Sequence, residues 1–216
     1  MSYIGLNATV RGTATVGANA IVGGNATVGG NATVTGDATV RGNATVTGDA
    51  TVTDSATVGA NATVTDSATV TGDATVRGNA TVTGSATVTG DATVTGDATV
   101  RGNATVTGNA TVTGSATVTD SAIVGGNATV TGDATVTGTM ILDRTPMTIT
   151  RSDGYTFLYA PCADGIWRVS AGCRYFTIEE AEEHWRETRG DTPLGRETMI
   201  ILEALRAWRL LCEEQS

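Results

Sequence analysis

An aliphatic residue stands at every sixth position from Ile4 through Val10, Val16 and Val22 to Val136 and Leu142, giving 24 positions without an insertion or deletion. Four residues after each aliphatic comes Ala, from Ala8 to Ala134, until Met140 interrupts the series. The unit is Val-x-Gly-(Asn/Asp/Ser)-Ala-Thr, and a fixed internal period of this kind defines the architecture ahead of any local propensity. Thr-Val-Thr is a β-branched triplet suited to a short extended segment, its middle side chain opposed to its neighbours. Gly followed by Asn, Asp or Ser supplies a corner: a backbone that tolerates positive φ, then a side chain that bonds local amides. Each hexapeptide therefore reads as one short strand plus one corner, with Val and Ala inward and the flanking Thr outward. A single hexapeptide cannot bury its Val, whereas stacked copies build a continuous narrow core. At about 1.5–3 kcal/mol per buried Val, the summed burial offsets the entropy of ordering the chain.

This unit resembles the hexapeptide-repeat family over residues 4 to about 142. The resemblance implies a left-handed parallel β-helix with three strands per coil and about eight coils, a mainly β fold some 35–40 Å long at about 4.8 Å per coil. With 18 residues per coil the outward positions sort into three faces. One face carries five consecutive Thr-Val-Thr rungs: Thr33 and Thr35, Thr51 and Thr53, Thr69 and Thr71, Thr87 and Thr89, Thr105 and Thr107. No Arg interrupts it, while Arg11 and Arg101 break the second face and Arg41 and Arg77 the third. Ile123 and Ile141 fall on adjacent rungs of the Thr face and make an apolar spot where the C-terminal segment is expected to dock.

From about Thr145 the period of six gives way to ordinary globular patterning, which divides the chain into a β-helix over 1–144 and an α+β unit over 145–216. Three short strands are expected, at Met147–Thr150, Tyr155–Tyr159 and Ile166–Val169, joined by turns at Asp153-Gly154 and Asp164-Gly165. A turn at Asp164-Gly165 sets Cys162 opposite Trp167 and leaves Cys173 too far away for a disulfide. Thr177-Ile-Glu-Glu180 is a capping box opening a helix over about 178–189, and Pro193 starts a second over about 193–213. That second helix is apolar over most of its circumference, and Met199, Leu205 and Trp208 are its candidate docking or oligomer contacts. The stretch Asp164–Cys173, followed by Thr177–Ala181, is similar to the tail of uncharacterised phage and prophage hexapeptide-repeat proteins.

Composition narrows the functions. The net charge is −9, and all 13 basic residues are Arg; an acidic balance argues against nucleic acid or an anionic membrane as partner. No run of about 18 apolar residues and no basic-then-apolar leader is seen, so a cytoplasmic or virion-associated setting is expected. Three Cys, all in the last third, fit free thiols better than a disulfide framework. The family resemblance would bring a trimeric acyltransferase, whose catalytic His projects from a coil and whose cleft is built with an inserted loop. Residues 4–142 contain neither a His nor an insertion, so nothing there activates an acceptor or holds coenzyme A. His184, the only His, could join Cys162, Cys173 and Cys212 as a zinc set only without the usual Cys-x-x-Cys knuckle. Neither a metal nor another cofactor is expected.

The reading that results is a non-catalytic scaffold or spacer of phage type. It is expected to self-associate, as a side-by-side trimer or an end-to-end filament, and to meet a host or structural protein. The alternative is ice binding through the Thr array, which resembles the Thr-x-Thr faces of β-helical insect antifreeze proteins. A trimeric acyltransferase-like protein is the second alternative.

Overall fold

The structure, a computed structural model, describes residues 1–213, with side chains to Cys212. The repeat forms 24 two-residue strands, from β1 (Tyr3–Ile4), β2 (Thr9–Val10) and β3 (Thr15–Val16) to β23 (Thr135–Val136) and β24 (Ile141–Leu142). Every third strand pairs in parallel, which gives three sheets of eight strands and eight coils of a left-handed β-helix. The register is 18 residues throughout: Thr51 lies against Thr33 and Thr69, and Val70 against Val52 and Val88.

The hydrogen bonds follow one rule. The N–H before each inward Val donates to an Ala carbonyl 17 residues on, and the N–H after it donates to a Val carbonyl, as in Thr51 to Ala68 at 2.9 Å and Thr53 to Val70 at 3.0 Å. Inside, Val and Ala from Ala20 to Val136 are fully buried. The corners hold the Gly at positive φ, and Asn19, Asp54, Ala60, Asp66 and Asp120 take the same left-handed conformation where Gly is replaced.

Four antiparallel strands follow: β25 (Met147–Thr150), β26 (Thr156–Pro161), β27 (Trp167–Ala171) and β28 (Arg174–Thr177). The sequence pattern shows only three of them. The fourth is only four residues long, Arg-Tyr-Phe-Thr, and it forms because Gly172 at φ +58 turns the chain so that Arg174–Thr177 pairs back onto Arg168–Ala171. The turn after β26 also differs by one residue from the expected register: Pro161 pairs with Trp167, and Cys162 N–H bonds the Ile166 carbonyl. Helix α1 (Ile178–Arg189) opens on the expected capping box of Thr177 and Glu180, and α2 (Pro193–Glu213) follows.

Strand β26 is buried on both faces and joins the two cores. Leu158, Ala160 and Cys162 close the end of the prism over Met140 and Leu142. Phe157 and Tyr159, pointing the other way, pack with Trp185 of α1 and with Ile201, Leu202 and Leu205 of α2. A bridge between Met140 and Cys162 and a bond from Ala163 N–H to the Thr139 carbonyl continue the pairing from coil to cap. The C-terminal unit therefore sits on the end of the prism. Ile123 and Ile141, the expected docking spot, stay 37% and 36% exposed.

Candidate functional surface

The Thr array is the most regular surface of the molecule. Thr33, Thr51, Thr69, Thr87 and Thr105 stack in register, with Thr15 before them and Ile123 and Ile141 after. Thr35, Thr53, Thr71, Thr89 and Thr107 form the parallel column, and all ten side chains are half-buried against their neighbours. Some hydroxyls are already engaged within the protein. Thr53 donates to Thr71 at 3.0 Å, and Thr71 donates to the Asp54 carboxylate. Part of the hydroxyl array is thus already bonded within the protein.

Two further ladders were not read from the repeat. Asn25, Asn43, Asn61 and Asn79 hand a side-chain hydrogen bond from coil to coil at 3.0–3.1 Å, ending on Asp97 at 2.8 Å. The second is a clasp at each Asp that stands in place of the corner Gly. Asp54 accepts from the Thr71 hydroxyl and Gly72 N–H, Asp66 from Thr83 and Gly84, and Asp120 from Thr137 and Gly138. These bonds, led by the Thr hydroxyl, hold all three carboxyls below the ordinary Asp value. An 18-residue comparison of Asn positions and of Thr-Asp-Ser against Thr-Gly would have revealed both.

At the junction of prism and cap lies a hollow of about 340 Å³ walled by Ile141, Pro146, Pro161, Trp167 and Trp208. Ile141 and Trp208 of the expected contacts meet there, while Leu205 is fully buried in the helix core and Met199 is half-buried. The Tyr159 ring backs this hollow, but its hydroxyl is sealed from solvent. Among the described residues the hydroxyl lacks a well-formed hydrogen bond, while the nearby Arg209 favours its ionised form. Burial outweighs that and raises its pKa.

The candidate chemical groups are dispersed. His184 stacks at 5.0 Å from Phe176 on α1. Cys162 is buried with its Sγ 3.0 Å from the Tyr175 hydroxyl, Cys173 is exposed, Cys212 is buried, and no two of the three are joined in a disulfide. Among the described residues no three His, Cys, Asp or Glu side chains gather as a metal site, and no helix is long and apolar enough to cross a membrane. Arg151 is the main buried charge: its guanidinium bonds Asp153 at 2.9 and 2.8 Å and Thr198 at 2.8 Å, pinning α2 to the first hairpin.

Neither a protein-family model nor a curated protein matches the sequence. Solved structures do. UDP-N-acetylglucosamine acyltransferase from Campylobacter jejuni is similar at 14% identity and a TM-score of 0.49, over 95% of this chain and 83% of that one. The Francisella novicida acyltransferase of the same name gives 16% identity and a TM-score of 0.30, over 61% and 65% of the two chains. The Arabidopsis one gives 13% and 0.29, over 76% and 74%. The activity in these names is that of those proteins; this chain is a hexapeptide-repeat β-helix with a four-stranded, two-helix cap.

Proposed function

We propose that the protein is a rigid, non-catalytic spacer that holds its C-terminal unit at a fixed distance from the first coil. The observation that carries this is the uniformity of the prism: eight coils in one register, with no loop leaving it between Ile4 and Leu142. A catalytic cleft needs a departure from the repeat to position a base and exclude water, and the prism supplies none. The similarity of the C-terminal tail to phage and prophage proteins supports a virion or host-directed setting. In that setting the exposed Ile200, Leu210 and Leu211 of α2 offer contact to a protein partner. The test is incubation with acyl-coenzyme A or acyl carrier protein and UDP-N-acetylglucosamine. Consumption of donor no faster than without protein is expected, and turnover that disappears on changing one coil residue would refute the reading.

The in-register Thr columns favour ice binding as a second reading. A Thr69→Lys variant would then lose the effect, so thermal hysteresis and recrystallisation inhibition are the measurements. Absence of both in the unmodified protein rejects it.

A further inference from the structure

The two ends of the prism differ. The last coil is closed by the cap, but β1, β2 and β3 are each the edge strand of their sheet. The first-coil aliphatics that should be core are open, with Ile4 49% and Val10 36% exposed, against 0% for Val76 in mid-prism. Tyr3, Gly5, Thr9, Arg11, Thr15 and Gly17 all turn their N–H groups toward the second coil. Strand alternation then aims the N–H and C=O of Ile4, Val10 and Val16 outward. Such edges pair with another strand when one fits.

We propose that this end joins the same end of a second copy, forming a closed two-fold dimer in which β2 meets its own equivalent and β1 meets the partner's β3. Two left-handed coils set head to head run in opposite senses at the junction, so the contact is antiparallel. A two-fold axis across the prism maps one face onto itself and exchanges the other two. The coil rises about 4.8 Å over three strands, so β1, β2 and β3 lie at successive heights about 1.6 Å apart. Only with β2 on the axis are the three gaps equal, because the lowest strand then faces the highest. With β1 or β3 on the axis, one face closes while another stands a full strand spacing apart.

The register follows from side-chain direction. Val10 must face the core in both copies, so Val10 sits opposite the partner's Val10 and Ile4 opposite the partner's Val16. These are the residues whose backbone groups point outward, and each pair exchanges two hydrogen bonds, six in all. Tyr3 falls opposite the partner's Gly17, which has no side chain to meet its ring. Arg11, the first coil's lone charged side chain, falls opposite the partner's Thr9, so no like charges are directly opposed. The fully exposed Leu6 lands on the partner's corner at Thr13 and Ala14. The cap prevents the same pairing at the other end, so assembly stops at two. Under the spacer reading, the product is a rod of about sixteen coils, roughly 75 Å long, with a C-terminal unit at each tip.

Light scattering on the full chain should give twice 21.8 kDa. Val10→Pro should give the monomer with an unchanged far-UV spectrum, because its N–H serves no bond within the chain. In a Cys173→Ser background, Thr9→Cys and Arg11→Cys proteins should form a disulfide-linked dimer on oxidation only when mixed. If Val10→Pro fails to fold, the mixed-cysteine result decides alone. A monomeric or trimeric native chain, a Val10→Pro variant that folds and remains dimeric, or cross-linking of either cysteine variant by itself as readily as the mixture overturns the proposal. Acyl transfer would refute the spacer reading and leave this mass unchanged; a monomeric mass would do the reverse.

Discussion

Gly114 offers a quantitative test of how the corners are held. It adopts φ +71, and a Cβ there would stand 2.8 Å from the Gly132 nitrogen and 3.1 Å from its carbonyl oxygen. Gly132, one coil on, has φ +64 and open space where a Cβ would go. An L side chain in this conformation costs about 1–2 kcal/mol, and crowding a packed backbone adds about 1–3 kcal/mol. Gly132→Ala should therefore cost about 1–2 kcal/mol, and Gly114→Ala about 2–5 kcal/mol. The repeat already tolerates an L residue here: Ala60, Asp54, Asp66 and Asp120 sit at φ 55–61, against Gly114's 71. Gly114→Asp recreates the native Thr-Asp-Ser sequence with Thr131 and Gly132 in place to clasp the carboxylate. It should be less destabilising than Gly114→Ala at neutral pH. Guanidinium unfolding followed by circular dichroism measures the three, and amide exchange at Thr131 and Gly132 localises the effect. Equal losses for Gly114→Ala and Gly132→Ala would refute the steric argument. An Asp variant no better than Ala would refute the clasp.

Acid should weaken the fold in a defined window. Asp54, Asp66 and Asp120 have depressed pKa values, and Asp153 and Asp164, held by Arg151 and Arg168, lie at about 2. Their stabilisation is present above the unfolded carboxyl value and is lost as pH falls through the folded one, so denaturant midpoints should drop mainly between pH 4 and 2. A flat profile there counts against the clasps. Val70→Ala, in the middle of a fully buried column, should cost about 2–3 kcal/mol, read as a shift in unfolding midpoint. Arg151→Ala should cost about 1.5–3 kcal/mol by removing the charge-assisted bond that ties Thr198 to the first hairpin, and Arg151→Met should recover part through packing. Thermal denaturation comparing the two separates charge from volume.

The prism was legible in the sequence because its information is local and repeated. One hexapeptide states strand, corner and core position, and the constant spacing fixes Val70 between Val52 and Val88 without any knowledge of the rest. The helices of the cap were legible for the same reason: Thr177 and Glu180 satisfy each other's backbone within one turn. What links parts distant in sequence was not legible. Tyr175, Phe176 and Thr177 favour a strand, but four residues just before a capping box are too short to announce one; they become one because β27 offers an open edge. Ile123 and Ile141 mark the end of the prism in the sequence, but the sequence does not show that Met140 and Leu142 form the buried seam with the cap. They point along the inside of the coil, and only the end of the prism leaves such residues uncovered. The clasp of Asp54 by Thr71 needs the coil to bring residues 17 apart together. Sequence alone determined the repeat, its face and its period. Tertiary structure decided which end is closed and which is open, because that depends on where the cap, encoded after the repeat has stopped, comes to rest.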